Sequence, residues 1–163
     1  MTGEQGASEA EIAEIYRHRF SGFLRLGYAL LGDPEQARDA VQETFATALR
    51  ARASFRGEGS LDGWLWRTML NVCRQERRRL AHYSDSEPPE QAGNGHPAQW
   101  PELRAAIAAL PERERSAVFL RYYAGLRQDE AAEALGVAPG TVAAALNHAR
   151  AKLADALGSE VTR

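Results

Sequence analysis

Residues 128–146 read QDEAAEALGVAPGTVAAAL and contain the most informative spacing in this chain. Ala132 is small, as a crossing point between two helices requires, and Gly136 follows four residues later at a predicted turn. Val142 lies six residues further on, where a side chain would return to the core. A short helix, a turn of about three or four residues with glycine, and a second helix make a helix-turn-helix. The spacing favours this DNA-binding motif over an ordinary helical hairpin, the alternative reading of the same apolar pattern.

The second helix of the motif is predicted from Pro139 to about Leu157. Its inner face would consist of Val142, Leu146, Ala149 and Leu153, which recur at helical spacing. In such motifs the second helix enters the major groove of DNA. The candidate contacts to duplex DNA are the outward positions of this helix and the two residues that open the motif: Arg127, Gln128, Thr141, Ala143, Ala144, Asn147, His148 and Arg150.

The remainder of the chain has the same helical character. Alanine, leucine, arginine and glutamate predominate, and apolar residues recur at spacings of three and four almost throughout. We therefore expect an all-α fold. The predicted helices run from about 10 to 31, 34 to 52, 61 to 81, 101 to 110, 111 to 123, 128 to 135 and 139 to 157. Asp33 is a predicted N-cap, with Pro34 at the first helical position.

The segment from Tyr83 to Gln99 has a different composition. It contains three prolines, two glycines and three acidic residues, and it has no lysine or arginine. This composition is typical of a flexible linker. The linker divides the chain into two small helical domains, called here the first module (residues 10–82) and the second module (residues 100–158).

The last predicted helix of the first module is strongly basic. Between Trp64 and His82 it has five arginines and a single acidic residue, Glu76, with tryptophan and asparagine interleaved. Arginine binds phosphate, aromatic rings stack on unpaired bases, and an amide can read a base edge. The helix is a candidate for single-strand binding, although a solvated charged face with core tryptophans would give a similar pattern.

Composition excludes several other classes of protein. The net charge of the 163-residue chain is −2, so any nucleic-acid contact must come from a local basic patch. One cysteine, Cys73, permits no internal disulfide, and the four histidines lack metal-ligand spacing. We expect no catalytic residues, no metal, no cofactor and no small-molecule substrate. A polar, acidic N-terminus and the lack of a long apolar run predict a cytoplasmic protein without membrane insertion.

Four blocks in this order resemble the extracytoplasmic-function group of the sigma-70 family of RNA polymerase sigma factors. They are Gly32–Glu35 with Asp39–Phe45, then Trp64–Asn71, then Leu110–Arg113 with Arg121–Tyr123, and finally the helix-turn-helix with Gly140-Thr141-Val142. The resemblance covers nearly the whole chain. It implies a non-enzymatic subunit that binds core RNA polymerase and promoter DNA, and it implies an anti-sigma factor as a further partner.

The resemblance also implies a role for each segment. The second helix would bind the clamp of the polymerase largest subunit through Asp39, Gln42, Glu43 and Phe45. The third helix and the loop before it would melt the −10 element through Arg56, Trp64, Trp66, Arg67, Asn71, Arg74, Arg77 and Arg78. The helix-turn-helix would read the −35 element.

The recognition helix departs from the family pattern. Ala143, Ala144 and Ala145 stand where the family commonly has basic residues and serine, and Ala138 replaces a frequent serine cap. Each bidentate base contact that is lost removes about 1–3 kcal/mol of discrimination. We therefore expect atypical −35 reading, with Asn147 favouring adenine. Two alternatives stay open: a sigma-like adapter, and a helix-turn-helix regulator, each without normal promoter selection.

Overall fold

The computed structural model describes residues 6–83 and 101–161, and the all-α prediction is confirmed for them. The predicted linker lies outside these residues except for Tyr83. The described residues form helices α1 (Glu9–Leu31), α2 (Pro34–Ala51), α3 (Leu61–Tyr83), α4 (Pro101–Ala108), α5 (Glu112–Val118), α6 (Gln128–Leu135) and α7 (Pro139–Val161). A short 3₁₀ turn, Arg52–Ser54, follows α2, and a π turn, Phe119–Tyr123, follows α5.

The helix ends follow from local chemistry. Ser8 and Glu11 form a reciprocal capping box at the start of α1. Gly32 ends that helix with φ 76°, a left-handed conformation that favours glycine. The Asp33 carboxylate accepts a hydrogen bond from the Gln36 N–H at 2.9 Å, which confirms the predicted cap of α2.

Four predicted helices differ from the structure at their ends, and one of them is α4, which ends at Ala108 and not at the predicted Leu110. Helix α3 continues to Tyr83 and α7 to Val161, beyond the predicted ends near 81 and 157. The single helix predicted from Pro111 to about Tyr123 is instead α5 followed by the π turn, in which the Ala124 N–H donates to the Phe119 carbonyl at 2.9 Å. The Ala124 carbonyl accepts from Arg19 of α1, so a contact distant in sequence accompanies the change.

In the first module, α1 packs on α2 and α3 around an aromatic core. The Phe23 ring stacks on Trp66 and meets Phe45 edge-on at 5.1 Å between centroids. The α1–α2 crossing requires Gly27, because a Cβ there would lie 2.9 Å from the Met69 methyl and 3.2 Å from the Ala37 Cα.

In the second module, α7 lies against α4, α5 and α6. Ala132 is buried at the α6–α7 crossing, Gly136 adopts φ 68° in the turn, and Val142 is fully buried. All three positions behave as the sequence spacing predicts, so the helix-turn-helix geometry is confirmed.

The two modules contact each other directly. Helix α3 packs against α6, and the π turn packs against α1. One continuous core of buried side chains includes Trp66 from the first module and Leu120 and Leu126 from the second. Within the ranges 6–83 and 101–161, no helix has both the length and the apolar character needed to cross a membrane.

Candidate nucleic-acid interface

Helix α3 presents most of its basic side chains to solvent. It begins after Ser60, whose hydroxyl accepts a hydrogen bond from the Gly63 N–H at 2.9 Å. Arg67, Asn71, Arg74 and Arg78 are exposed, and Arg77 is half-buried. The predicted −10 residues on this helix therefore form one polar, cationic face, with the exception of the two tryptophans.

The two tryptophans of α3 lie in different environments. Trp64 is partly exposed and its ring lies 5.6 Å from that of Phe55, in the loop that precedes the helix. Arg56 is exposed in the same loop. Phe55, Arg56 and Trp64 thus form an accessible aromatic and cationic group, which is the chemistry that captures an unpaired base.

The assignment of Trp66 to DNA contact is wrong for this structure. Trp66 is 0% exposed, and its ring stacks on Phe23 with 3.8 Å between centroids. Its indole N–H donates to the Asp62 carboxylate at 3.2 Å. Partial burial raises the pKa of Asp62, while the neighbouring Arg19 and the Trp66 hydrogen bond act in the opposite direction. Trp66 therefore supports the fold beneath the cationic face.

Helix α2 separates a buried face from an acidic one. Asp39, Gln42 and Glu43 are exposed, and Glu43 pairs with Arg50 at 2.9 Å. Phe45, also predicted to bind polymerase, is buried in the core and lies edge-on to Tyr16 at 4.9 Å. The aromatic residue is placed inward by its helical phase with Val41, so only the polar members of the set are accessible.

The outward face of α7 is small and polar. Thr141 and Ala143 are partly exposed, and Ala144, Asn147 and His148 are exposed. The Arg150 guanidinium donates to the Tyr122 hydroxyl and lies 3.4 Å from the Asn147 amide oxygen. Asn147, the candidate for base reading, and Arg150 therefore lie together in one exposed cluster.

Arg127 and Gln128, which open the motif, also make contacts within the second module. The Gln128 side chain donates to the Pro139 carbonyl at 3.0 Å and so links the first turns of α6 and α7. The Glu130 carboxylate accepts from the Arg127 N–H at 2.7 Å, and the exposed Arg127 guanidinium lies 3.4 Å from the Asp129 carboxylate and 3.6 Å from that of Glu130. Both side chains that open the motif therefore already have partners within the second module.

The sequence placed Phe55 only as part of the loop before α3, and it did not identify Tyr122, Glu112 or Glu133 as contact residues. Phe55 pairs with Trp64, and Tyr122 holds Arg150. Glu112 and Glu133 reach from the second module to the first. Only Phe55 has a usable sequence cue, an aromatic residue beside a cationic loop. Across residues 6–83 and 101–161, no cluster of three or more histidine, cysteine or acidic side chains could hold a metal ion.

Comparison with known proteins agrees with this geometry. The family model for sigma-70 region 2 matches residues 15–83, and that for sigma-70 region 4 matches residues 101–153. The ECF RNA polymerase sigma factor EcfG of Rhodopseudomonas palustris is 32% identical over 136 residues, which cover 79% of this chain and 75% of the relative. This chain belongs to the ECF family of RNA polymerase sigma factors. The family consists of transcription factors rather than enzymes.

A further relative supports the assignment, and a solved structure shares the fold. The ECF sigma factor SigM of Mycobacterium tuberculosis is 30% identical over 153 residues, covering 89% of this chain and 76% of the relative. The sigma factor RpoE of Bartonella quintana, solved with the anti-sigma factor NepR, gives a TM-score of 0.76 at 24% identity and covers 91% of this chain and 97% of its own. This likeness shows that the two chains share a fold.

Proposed function

We propose that this chain binds core RNA polymerase in the cytoplasm and directs promoter-specific initiation. The first module would melt the −10 element and the second would read the −35 element. Polymerase would perform the chemistry, and an anti-sigma factor would restrain the chain. The observation that carries the proposal is the presence, in one chain, of both sigma regions with an accessible cationic face on α3 and an exposed second helix in the helix-turn-helix.

The polar face of α2 is the proposed polymerase contact. Asp39, Gln42 and Glu43 are exposed side by side and suit a basic partner surface. Their neighbours on the opposite face, including Phe45, would hold the helix rigid in the core.

The proposed −10 contacts are Arg56, Trp64, Arg67, Asn71, Arg74, Arg77 and Arg78. The arginines would bind phosphates. The affinity for DNA would then fall steeply as the salt concentration rises, because binding releases counterions from the DNA. Trp64 with Phe55 would stack on an unpaired base.

The proposed −35 contacts favour weak, A/T-tolerant reading. Ala143 and Ala144 offer only methyl groups, which can meet thymine methyls, and Asn147 can pair with adenine. Arg127 and Arg150 would supply phosphate contacts. Promoter choice would then depend mainly on the first module.

A polymerase-binding measurement tests the first step of this proposal. Fluorescently labelled chain is titrated with purified bacterial core polymerase, and Glu43→Lys is compared with Glu14→Lys. Glu43→Lys should weaken binding at least about tenfold, because like charges placed opposite each other cost several kcal/mol. Glu14 lies exposed on α1 and pairs there with Arg17, so its variant should bind as the wild type does.

A sigma-like adapter is the second candidate. Two observations favour it. The outward positions of the first turns of α7 have no cationic side chain. The Gln128 side chain is also engaged within the protein, by its hydrogen bond to the Pro139 carbonyl. An adapter would bind polymerase normally and yet select no promoter sequence.

A further inference from the structure

Tyr122 is an exposed aromatic residue that contacts the cluster of Asn147 and Arg150 on α7. It lies in the π turn after α5, outside the helix-turn-helix, and it is 56% exposed. Its hydroxyl oxygen accepts hydrogen bonds from the Arg150 guanidinium, from Nε at 3.1 Å and from Nη2 at 2.5 Å. The same guanidinium lies 5.9 Å from the centre of the Tyr122 ring, within the range of a cation–π contact. Tyr122 therefore fixes the direction of Arg150 by two kinds of contact.

Arg150 in turn contacts Asn147, the candidate for base reading. The two residues are three positions apart on α7 and so lie on the same side of the helix. Arg150 Nη1 donates to Asn147 Oδ1 at 3.4 Å. A donor that faces the amide oxygen also sets the direction of the amide nitrogen, and the second lone pair of the oxygen remains available. Pairing with adenine needs both groups in place, because asparagine donates to N7 and accepts from N6.

The π turn determines where Tyr122 lies. The Ala124 N–H donates to the Phe119 carbonyl at 2.9 Å and closes this turn, which takes one residue more than an α-helical turn. The rings of Phe119 and Tyr123 stack with 4.6 Å between centroids, so the residues on both sides of Tyr122 are fixed. Single π turns occur frequently at functional sites.

The contact to Tyr122 differs in chemistry from the contact to the next cation on α7. Lys152 is held by both carboxylate oxygens of Glu114, each at 2.9 Å, which offsets its charge. A hydroxyl and an amide carry no charge, so Tyr122 and Asn147 orient Arg150 without neutralising it. A guanidinium held in this way keeps its charge for a phosphate near the base that Asn147 would read.

We propose that Tyr122 is a positioning residue for −35 recognition, which holds Arg150 against Asn147 and so orients the Asn147 amide for adenine. The inference rests on the proposed reading of the −35 element by α7. It adds a specificity-determining residue that lies outside the recognition helix. Tyr122 acts through Arg150 and needs no contact with a base.

The test uses the full chain in holoenzymes reconstituted with bacterial core RNA polymerase. Wild type, Asn147→Ala, Tyr122→Phe and the double variant each initiate on one library of random promoters, in which a transcribed barcode identifies every promoter. Tyr122→Phe removes only the hydroxyl and keeps the ring. The control, Tyr123→Phe, makes the same change at the neighbouring tyrosine, whose ring stacks on Phe119.

The inference predicts that Asn147→Ala and Tyr122→Phe lower the preference for adenine at the same −35 position. The loss in Tyr122→Phe should be about fivefold or more, as for a bidentate base contact. The double variant should be no worse than Asn147→Ala, because both changes remove one contact. Preferences at the other −35 positions and in the −10 element should stay unchanged, whereas a loss of stability would weaken initiation at all promoters alike. Tyr123→Phe should match wild type.

Nuclear magnetic resonance of the free chain tests the contact without DNA. The Arg150 Nε–H signal and the two side-chain amide signals of Asn147 should shift in Tyr122→Phe and stay in place in Tyr123→Phe. Signals that do not move in Tyr122→Phe would overturn the inference, since the hydroxyl would then not hold Arg150.

The outcomes separate this inference from the proposed function. Initiation with an unchanged adenine preference in Tyr122→Phe, or with additive losses in the double variant, would overturn the inference and leave the sigma-factor function intact. Wild-type initiation that selects a −10 element and no −35 base would do the same. Failure of wild type to initiate from any promoter would count against the proposed function and, with it, against the inference.

Discussion

Replacing Trp66 with alanine should destabilise the protein far more than removing an exposed arginine of the same helix. The Trp66 side chain is fully buried and stacked on Phe23, and its indole N–H is bonded to Asp62. Truncating a buried Trp typically costs about 3–5 kcal/mol. The free energy of unfolding of an ordinary domain is about 5–15 kcal/mol, so the variant should lose a large part of its stability.

Urea denaturation followed by far-UV circular dichroism measures this loss. Trp66→Ala should lower the free energy of unfolding by about 3–5 kcal/mol. The matched variant Arg78→Ala, at an exposed position on α3, should remain within about 0.5 kcal/mol of wild type while weakening single-strand binding. A Trp66→Ala protein within about 1 kcal/mol of wild type would refute the structural role of this ring.

Three further variants test other parts of the structure. Ala138→Ser should add up to about 1 kcal/mol of stability, because a serine hydroxyl at the N-cap can accept from an N–H of the first turn of α7. Ala154→Ser in mid-helix should not stabilise the protein, and thermal unfolding compares the two variants. Burial raises the pKa of the Cys73 thiol to about 12 from an ordinary 9.0. At a pH between those two pKa values the thiol is ionised in the unfolded chain and neutral in the folded one. The free energy of unfolding therefore falls as pH rises, by up to about 1.4 kcal/mol per pH unit. Urea titrations of Cys73→Ala should show no such fall from this group. Asn147→Ala should relax a preference for adenine in the −35 element, as read by initiation on variant promoters; unchanged selectivity would contradict that role.

The sequence was most informative where structure depends on near neighbours. Asp33 with Pro34 and the Ala132–Gly136–Val142 spacing are local patterns, and the structure has the predicted cap and turn at both places. Helix ends differed by a few residues at Tyr83, where no proline or glycine marks the end, and at Gly158, through which α7 continues.

Residues whose environment depends on distant partners could not be assigned in this way. Trp64 and Trp66 both fit an aromatic-basic pattern, and only the position of Phe23 on α1 determines which ring is buried. Likewise, nothing near Glu112 or Glu133 in the sequence indicates that their partners lie on α3. Such contacts follow from the packing of the modules.

The cationic face of α3 illustrates both situations. Its arginines were predicted from local composition, and all five are at least partly exposed. Their pairing was not predicted: Arg79 is held by Glu76 on the same helix, whereas Arg77 is held by Glu112 from the second module. The partner of Arg77 therefore could not be read from the composition of its own helix.

Initiation on a library of random promoters tests the central claim most directly. The purified chain is mixed with bacterial core RNA polymerase and the library, and the transcripts are sequenced. We expect start sites that share a −10 element and a weaker, A/T-containing −35 element. Polymerase binding without any shared promoter sequence would contradict the assignment as a working sigma factor.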